Sequence, residues 1–202
     1  VFSGTAANAI ALSMLAQPFE AVLAHNSAHV CTDETGAPGF FGHGVGLIGL
    51  PGFSGKIDPL ALHAQLDEPE VGHRQPPAAL TLTQATEYGA VYTEEELRHL
   101  IEPVKMRGFG VHMDGARLAN AAAAGFDLTQ IPRLGADILV FGGAKAGGPC
   151  AEAIVLFNKA LARRLDNRLK QAGQTASKAR LLSGPLLGLL ESGDWETGPS
   201  FQ

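Results

Sequence analysis

Charge and cysteine are both scarce in this chain, and each shortage narrows what it can do. Only 17% of its 202 residues are Asp, Glu, Lys or Arg, and the formal net charge is −5. That balance leaves no basic face to lie along a phosphate backbone, so no nucleic-acid partner is expected. The two cysteines, Cys31 and Cys150, allow one disulfide at most, and neither has the neighbours of a zinc site. Two buried, reduced thiols are the expected state. No apolar run approaches the roughly 20 residues of a membrane-spanning helix, and no signal peptide precedes the first strand. A cytoplasmic protein without a membrane partner is therefore expected. Apart from His29, the histidines (His25, His43, His63, His73, His99 and His112) form no metal-like grouping, so no metal is expected.

What the chain does have is alanine and glycine, 25 of the latter, and enough length for one large domain with a substantial core. Short apolar runs alternate with helical patterns. Strands are predicted over 21–24, 45–50, 79–83, 109–113, 137–141 and 153–157. The turn at Gly4 predicts a helix through Ala16, and Asp58-Pro59 predicts another, with proline in its favoured first turn. Thr93-Glu94-Glu95-Glu96 reads as a capping box opening a helix to about Arg107. A long helix from Asn158 to about Gln171 and a last one over 178–190 are also predicted, and 69–77 reads as a polar surface loop. Strands alternating with helices imply an α/β fold around a largely parallel sheet.

In such sheets ligands bind outside the carboxyl ends of the strands. Three chemically capable residues fall at or just past such ends: Asp114, Glu87 and Lys145. The segments Val111–Arg117 and Asp137–Lys145 each run from an apolar stretch into a turn, one carrying an acid and the other an amine. That pair suits pyridoxal phosphate. A lysine can condense with its aldehyde, and a carboxylate can keep its ring nitrogen protonated so that the ring draws electrons.

At these residues the sequence resembles the low-specificity threonine aldolases, the group that includes phenylserine aldolase, within the aspartate-aminotransferase-like pyridoxal-phosphate enzymes. The matching blocks run in order through most of the chain. They are Ser3–Asn8, Ala28-His29 with Asp33-Glu34 and Gly36–Pro38, Leu82–Gly89, His112–Arg117, Phe141-Gly142-Gly143 before Lys145, Ala151–Ala153, and Ala172–Gln174. The resemblance implies an aminotransferase-like large domain with a mostly parallel, seven-stranded-type sheet over residues 1–202. It also implies that an amino-terminal segment and a carboxyl-terminal small domain of the family are missing from this chain.

The resemblance further implies roles. Lys145 would carry the cofactor, Asp114 would hold its ring nitrogen, and His29 would stack on the ring. Gly4, Thr5 and the backbone N–H of Ala6 would hold its phosphate. Arg117 would grip the substrate carboxylate through two parallel hydrogen bonds, and Asp33 would orient the substrate hydroxyl. Either His29 or Glu87 would take the hydroxyl proton. Lys170 and Lys178 align with cations near the site mouth, and His112, on a strand, reads as a packed residue with a polar partner. The implied reaction is cleavage of a small β-hydroxy-α-amino acid to glycine and an aldehyde, in a homodimer or homotetramer. β-Elimination or serine-hydroxymethyl cleavage on the same cofactor is the second reading, and a non-catalytic chain that keeps only the fold is the third. The third gains from two departures: Ala144 stands where the family has a hydroxyl residue and Ala146 where it has asparagine.

Overall fold

The computed structural model describes residues 1–148, 150–193 and 195; the tail of the expected 1–202 domain lies outside them. Ser3 caps the first helix, α1 (Gly4–Leu15), accepting a hydrogen bond from the Ala6 N–H at 3.2 Å. Strand β1 (Ala21–His25) is buried along its whole length. Two short helices follow, α2 (His29–Thr32) and α3 (Ala37–Phe41), then β2 (Gly46–Leu50). A small antiparallel hairpin, β3 (Gly52–Phe53) and β4 (Lys56–Ile57), leads to α4 (Pro59–Asp67), whose cap is Asp58. Then come β5 (Pro77–Thr83), α5 (Glu94–Met106), β6 (Gly110–Gly115), α6 (Leu118–Ala123), α7 (Gln130–Leu134), β7 (Ile138–Gly142) and β8 (Glu152–Leu156). Helices α8 (Leu165–Gln171) and α9 (Arg180–Ser192) close the described chain.

The capping box at Thr93 forms in both directions: Glu96 N–H donates to Thr93 Oγ1 at 3.1 Å, and Thr93 N–H donates to Glu96 Oε2 at 2.7 Å. The main sheet runs β2-β1-β5-β6-β7-β8. Its first five strands are parallel and β8 is antiparallel to β7. Six strands rather than seven are therefore seen among the described residues.

Register sorts the side chains by face. One face carries Leu80, Leu82, Val111, Met113, Leu139 and Phe141, buried with Leu97, Leu100, Ile101 and Val104 of α5 and Ile131 and Leu134 of α7. On the other, Ile138 and Val140 pack on Ala7 and Ala11 of α1, and Val22 packs with Leu12. The strand-pair register puts His112 beside Ile138 and Asp114 beside Val140, so these two polar residues share the α1 face.

The predicted 158–171 helix is corrected. A 3-10 turn (Lys159–Ala162) is capped by Asn158, and Arg164 then takes a left-handed conformation (φ 62°) before α8 begins. Its two ends are anchored separately. Asn158 is tied to Asp137 through its N–H and its amide, whereas Arg168 of α8 donates to Ser13 Oγ of α1 at 3.1 Å. The break at Arg164 lies between these two anchors. The cysteine expectation is corrected in part: both thiols are free, but Cys150 is exposed and Cys31 is half-buried. No helix among the described residues is long and apolar enough to cross a membrane.

Candidate functional site

Strands β6 and β7 are neighbours, and the turns at their carboxyl ends meet the start of α1 in one cavity of about 150 Å³. Gly4, Thr5, Asn8, His29, Asp114, Ala116, Arg117, Gly142, Lys145 and Glu152 line it. A larger cavity of about 400 Å³ lies by the amino-terminal ends of β1 and β5, near Ala21 and Pro77. Its charged residues do not converge on it, since Arg74 is paired with Glu68 at 3.1 Å. The smaller cavity is the one that gathers an acid, an amine, a guanidinium and an imidazole.

The Gly-Gly pair before Lys145 has a steric reason. A Cβ on Gly142 would lie 2.6 Å from Ala116 Cα, and one on Gly143 would strike the Ala151 carbonyl oxygen. Glycine at both positions lets the turn carrying Lys145 close down beside the turn after Asp114.

Asp114 is buried at 4% exposure. Its Oδ1 accepts from Ala116 N–H at 2.9 Å and its Oδ2 from the Asn8 amide at 2.8 Å. The same Asn8 nitrogen donates to Glu34 Oε1 at 2.8 Å, and Glu34 Oε1 lies 3.0 Å from His29 Nδ1. Across the cavity, Glu152 Oε2 accepts from Gly143 N–H at 2.9 Å. Burial pushes the Glu34 and Glu152 carboxyls up from their ordinary value. The negative charge of Asp114 adds to both shifts, and hydrogen bonds from Asn8 and His29 to Glu34 and from Gly143 to Glu152 oppose them. Lys145 and Arg117 line the cavity with no side-chain hydrogen bond or ion pair among the described residues, so amine and guanidinium are free to meet a ligand.

Seven expected residues are therefore placed as follows. Gly4, Thr5, His29, Asp114, Arg117 and Lys145 come together, whereas Ala6 does not line the cavity and its N–H is already donated to Ser3 Oγ. Two further candidates also lie off it. Asp33 is exposed and accepts from the neighbouring Thr32 hydroxyl at 2.7 Å. Glu87 turns its Oε1 to His29 N–H at 2.9 Å and to the Thr83 hydroxyl at 3.2 Å, so it supports the backbone of His29 rather than facing a ligand. Lys170 and Lys178 are exposed and away from the cavity. His112 is fully buried on Thr81 Oγ1 at 2.7 Å, a packed residue as its strand position suggests.

Residues 1–198 match the family model described as beta-eliminating lyase. The chain belongs to the beta-eliminating lyase family. Against individual members, it is 45% identical over 196 residues to the low specificity L-threonine aldolase of Pseudomonas sp. (strain NCIMB 10558), covering 96% of this chain and 57% of that protein. To the low specificity L-threonine aldolase of Pseudomonas aeruginosa it is 43% identical with the same coverage. Among solved structures, the threonine aldolase of Leishmania major superposes with a TM-score of 0.90 at 32% identity, over 97% of this chain and 57% of that one. An N-succinyldiaminopimelate aminotransferase from Mycobacterium tuberculosis, at 19% identity and a TM-score of 0.67, shares the fold. The chain spans a little over half the length of the curated relatives it matches.

Beta-eliminating lyases and threonine aldolases depend on pyridoxal phosphate. The residues present fit that group. A buried carboxylate held by two donors, a free amine on the adjoining strand end, and helix-start N–H groups at Gly4 and Thr5 are donors and acceptors of the required kinds. Three residues lining or bordering this cavity were not singled out from sequence: Asn8, Glu34 and Glu152. Asn8 had a readable signal, being the one polar side chain in the buried stretch Ala7–Leu12 of α1. Glu34 and Glu152 had none beyond sitting in family-like blocks.

Proposed function

We propose that this chain forms the pyridoxal-phosphate-binding domain of a lyase that cleaves β-hydroxy-α-amino acids, threonine and phenylserine among them, to glycine and an aldehyde. One observation carries the reading: Asp114 and Lys145, from the ends of adjacent strands, line one cavity together with a free Arg117 guanidinium. The similarity to low specificity L-threonine aldolases supports the choice of reaction.

The cofactor, when bound, supplies the electron sink that makes the Cα–Cβ bond of an amino acid breakable. Lys145 Nζ is the amine that holds it. Asp114, pinned by Asn8 and by Ala116 N–H, would hold the ring nitrogen and keep it protonated. The N–H groups of Gly4 and Thr5 and the Thr5 hydroxyl, at the positive end of α1, hold the phosphate. Arg117 fixes the substrate carboxylate with its planar fork, which orients the scissile bond. His29 would lie against the ring and offer Nε2 to the substrate hydroxyl, a role favoured over Glu87 because Glu87 lies off the cavity. A homo-oligomer, which the resemblance implies, and a cytoplasmic location belong to the same proposal; sedimentation analysis reads the first.

Purified protein mixed with pyridoxal phosphate should gain a visible absorption band that Lys145→Ala loses. With cofactor it should release glycine and benzaldehyde from phenylserine. A band that persists unchanged in Lys145→Ala overturns the site. Pyruvate and ammonia in place of glycine would assign β-elimination. A loaded protein that turns over none of threonine, phenylserine or tyrosine would favour the non-catalytic reading, for which Ala144 and Ala146 are the departures to restore first.

A further inference from the structure

The acid most completely enclosed beside the cavity has no part in the chemistry above. Glu34 is 3% exposed, on the segment between α2 and α3, and its carboxylate is reached by two side chains. Its Oε1 takes the Asn8 amide at 2.8 Å and faces His29 Nδ1 at 3.0 Å; its Oε2 is buried with no hydrogen-bond partner among the described residues. Asn8 is in turn bonded to Asp114 Oδ2 at 2.8 Å. A continuous chain of contacts therefore runs from the imidazole of His29, through Glu34 and Asn8, to the acid assigned to the cofactor ring.

Proton counting gives this chain a direction. The Asn8 nitrogen has two hydrogens and sits between two carboxylates, so one goes to Glu34 and one to Asp114. An amide turned the other way would set its oxygen against both acids. Glu34 Oε1 already accepts the Asn8 hydrogen, so the 3.0 Å contact is read with His29 Nδ1–H as the second donor to the same oxygen. The imidazole proton then sits on Nδ1. Nε2 makes no hydrogen bond among the described residues and belongs to a ring that lines the cavity; with the hydrogen on Nδ1, a neutral ring carries its lone pair there.

We propose that Glu34 is a positioning residue that fixes the Nδ1–H tautomer of His29 and, through Asn8, holds that ring in register with Asp114. The role in turnover rests on the aldolase reading; the tautomer does not. In turnover, His29 Nε2 takes the proton from the substrate β-hydroxyl and becomes imidazolium, its Nδ1–H still on Glu34. The O–H electron pair forms the aldehyde C=O as the Cα–Cβ bond breaks, and that bond's electrons remain with the Cα that becomes glycine. The proton returns from Nε2 to that Cα, which completes glycine once the aldehyde has left. A carboxylate behind the ring stabilises the imidazolium and holds its plane; at metal-bound histidines, loss of such a carboxylate partner costs roughly 10- to 100-fold, and an effect of that order is expected here.

The test begins without cofactor or substrate. Imidazole ¹⁵N shifts of the cofactor-free protein, with the His29 signals assigned by their absence in His29→Gln, should show the proton on Nδ1. Glu34→Gln keeps an oxygen facing Asn8 and Nδ1, so it should keep that tautomer. Glu34→Leu, of similar size with no acceptor, should give a mixture. In the loaded protein Glu34→Leu should lower kcat for phenylserine by roughly 10- to 100-fold with KM changed less than about twofold, and Glu34→Gln should recover most of the loss. A wild-type spectrum with bare Nδ1 and the proton on Nε2 overturns the proposal. So does Glu34→Leu with wild-type shifts. The wild-type spectrum decides the question alone, should Glu34→Leu fail to fold. The expected tautomer in a loaded protein that cleaves no hydroxyamino acid sinks the aldolase reading and leaves the Glu34–His29 contact standing.

Discussion

The two faces of strand β6 solve different problems with alternate residues. Val111 and Met113 point to the α5 side and are wholly buried among apolar side chains. His112 and Asp114 point to the α1 side and are as deeply buried, yet each is held by a polar neighbour: Thr81 for the histidine, Asn8 and a backbone N–H for the acid. A parallel sheet covered on both faces is ordinarily apolar on both. Here one face does the cohesive work, and the other accepts the expense of buried polar groups so that an acid can stand rigid at a strand end.

Neighbouring substitutions on β6 should break the two faces apart. Met113→Ala should lower unfolding free energy by about 2–5 kcal/mol, as loss of a buried large side chain does, while leaving cofactor absorption in place at low temperature. Asp114→Asn should do the reverse, with near-normal denaturant midpoints and a weakened or shifted visible band. Chemical denaturation and absorption titration read the two, and equal stability loss in both variants would erase the distinction between the faces.

The polar face should also respond to acid. Burial lowers the His112 pKa to about 4, against an ordinary value of 6.5. The unfolded chain therefore binds a proton through the window from 6.5 to about 4 while the folded chain does not. The stability tied to neutral His112 is complete above that window and is lost as pH falls through it, by roughly 3 kcal/mol in all. Glu34 and Glu152 act with opposite sign. Their raised carboxyls favour the folded state in acid, and that contribution is lost as pH rises through their folded values. His112→Gln should isolate the histidine: its unfolding free energy should fall less steeply between about pH 6.5 and 4. An unchanged slope would mean that His112 is protonated in the fold.

The smallest effect belongs to the apolar side's helix. Thr93→Ala removes one arm of the α5 capping box and should cost about 1 kcal/mol, measured by thermal unfolding, with no change in cofactor binding.

Much of this was readable in the chain beforehand. All six strands of the main sheet appear within a residue or two of the apolar runs that predict them, and the capping box at Thr93 forms in full. The convergence of Asp114 and Lys145 follows from two strands ending side by side. What escaped reading is short or bent by distant anchors. Helices α2 and α3 are only four and five residues long, too brief to show a period. The break at Arg164 carries no glycine or proline to announce it. At the site, Glu87 and Asp33 were singled out and Glu34 was not, since three acids near one histidine carry no mark of which is enclosed.

Local pattern was enough for the alternating elements, the caps and the strand ends where ligands gather, because periodicity and capping depend on neighbours a few residues apart. The choice among the polar residues was made in three dimensions. Asn8 meets Asp114 across 106 positions and Glu34 across 26, and Gly142 must be glycine because Ala116 lies against it. Burial and hydrogen bonding act over a few ångströms of space, whatever length of chain lies between, so the residues that share a cavity were named only when the sheet brought its ends together.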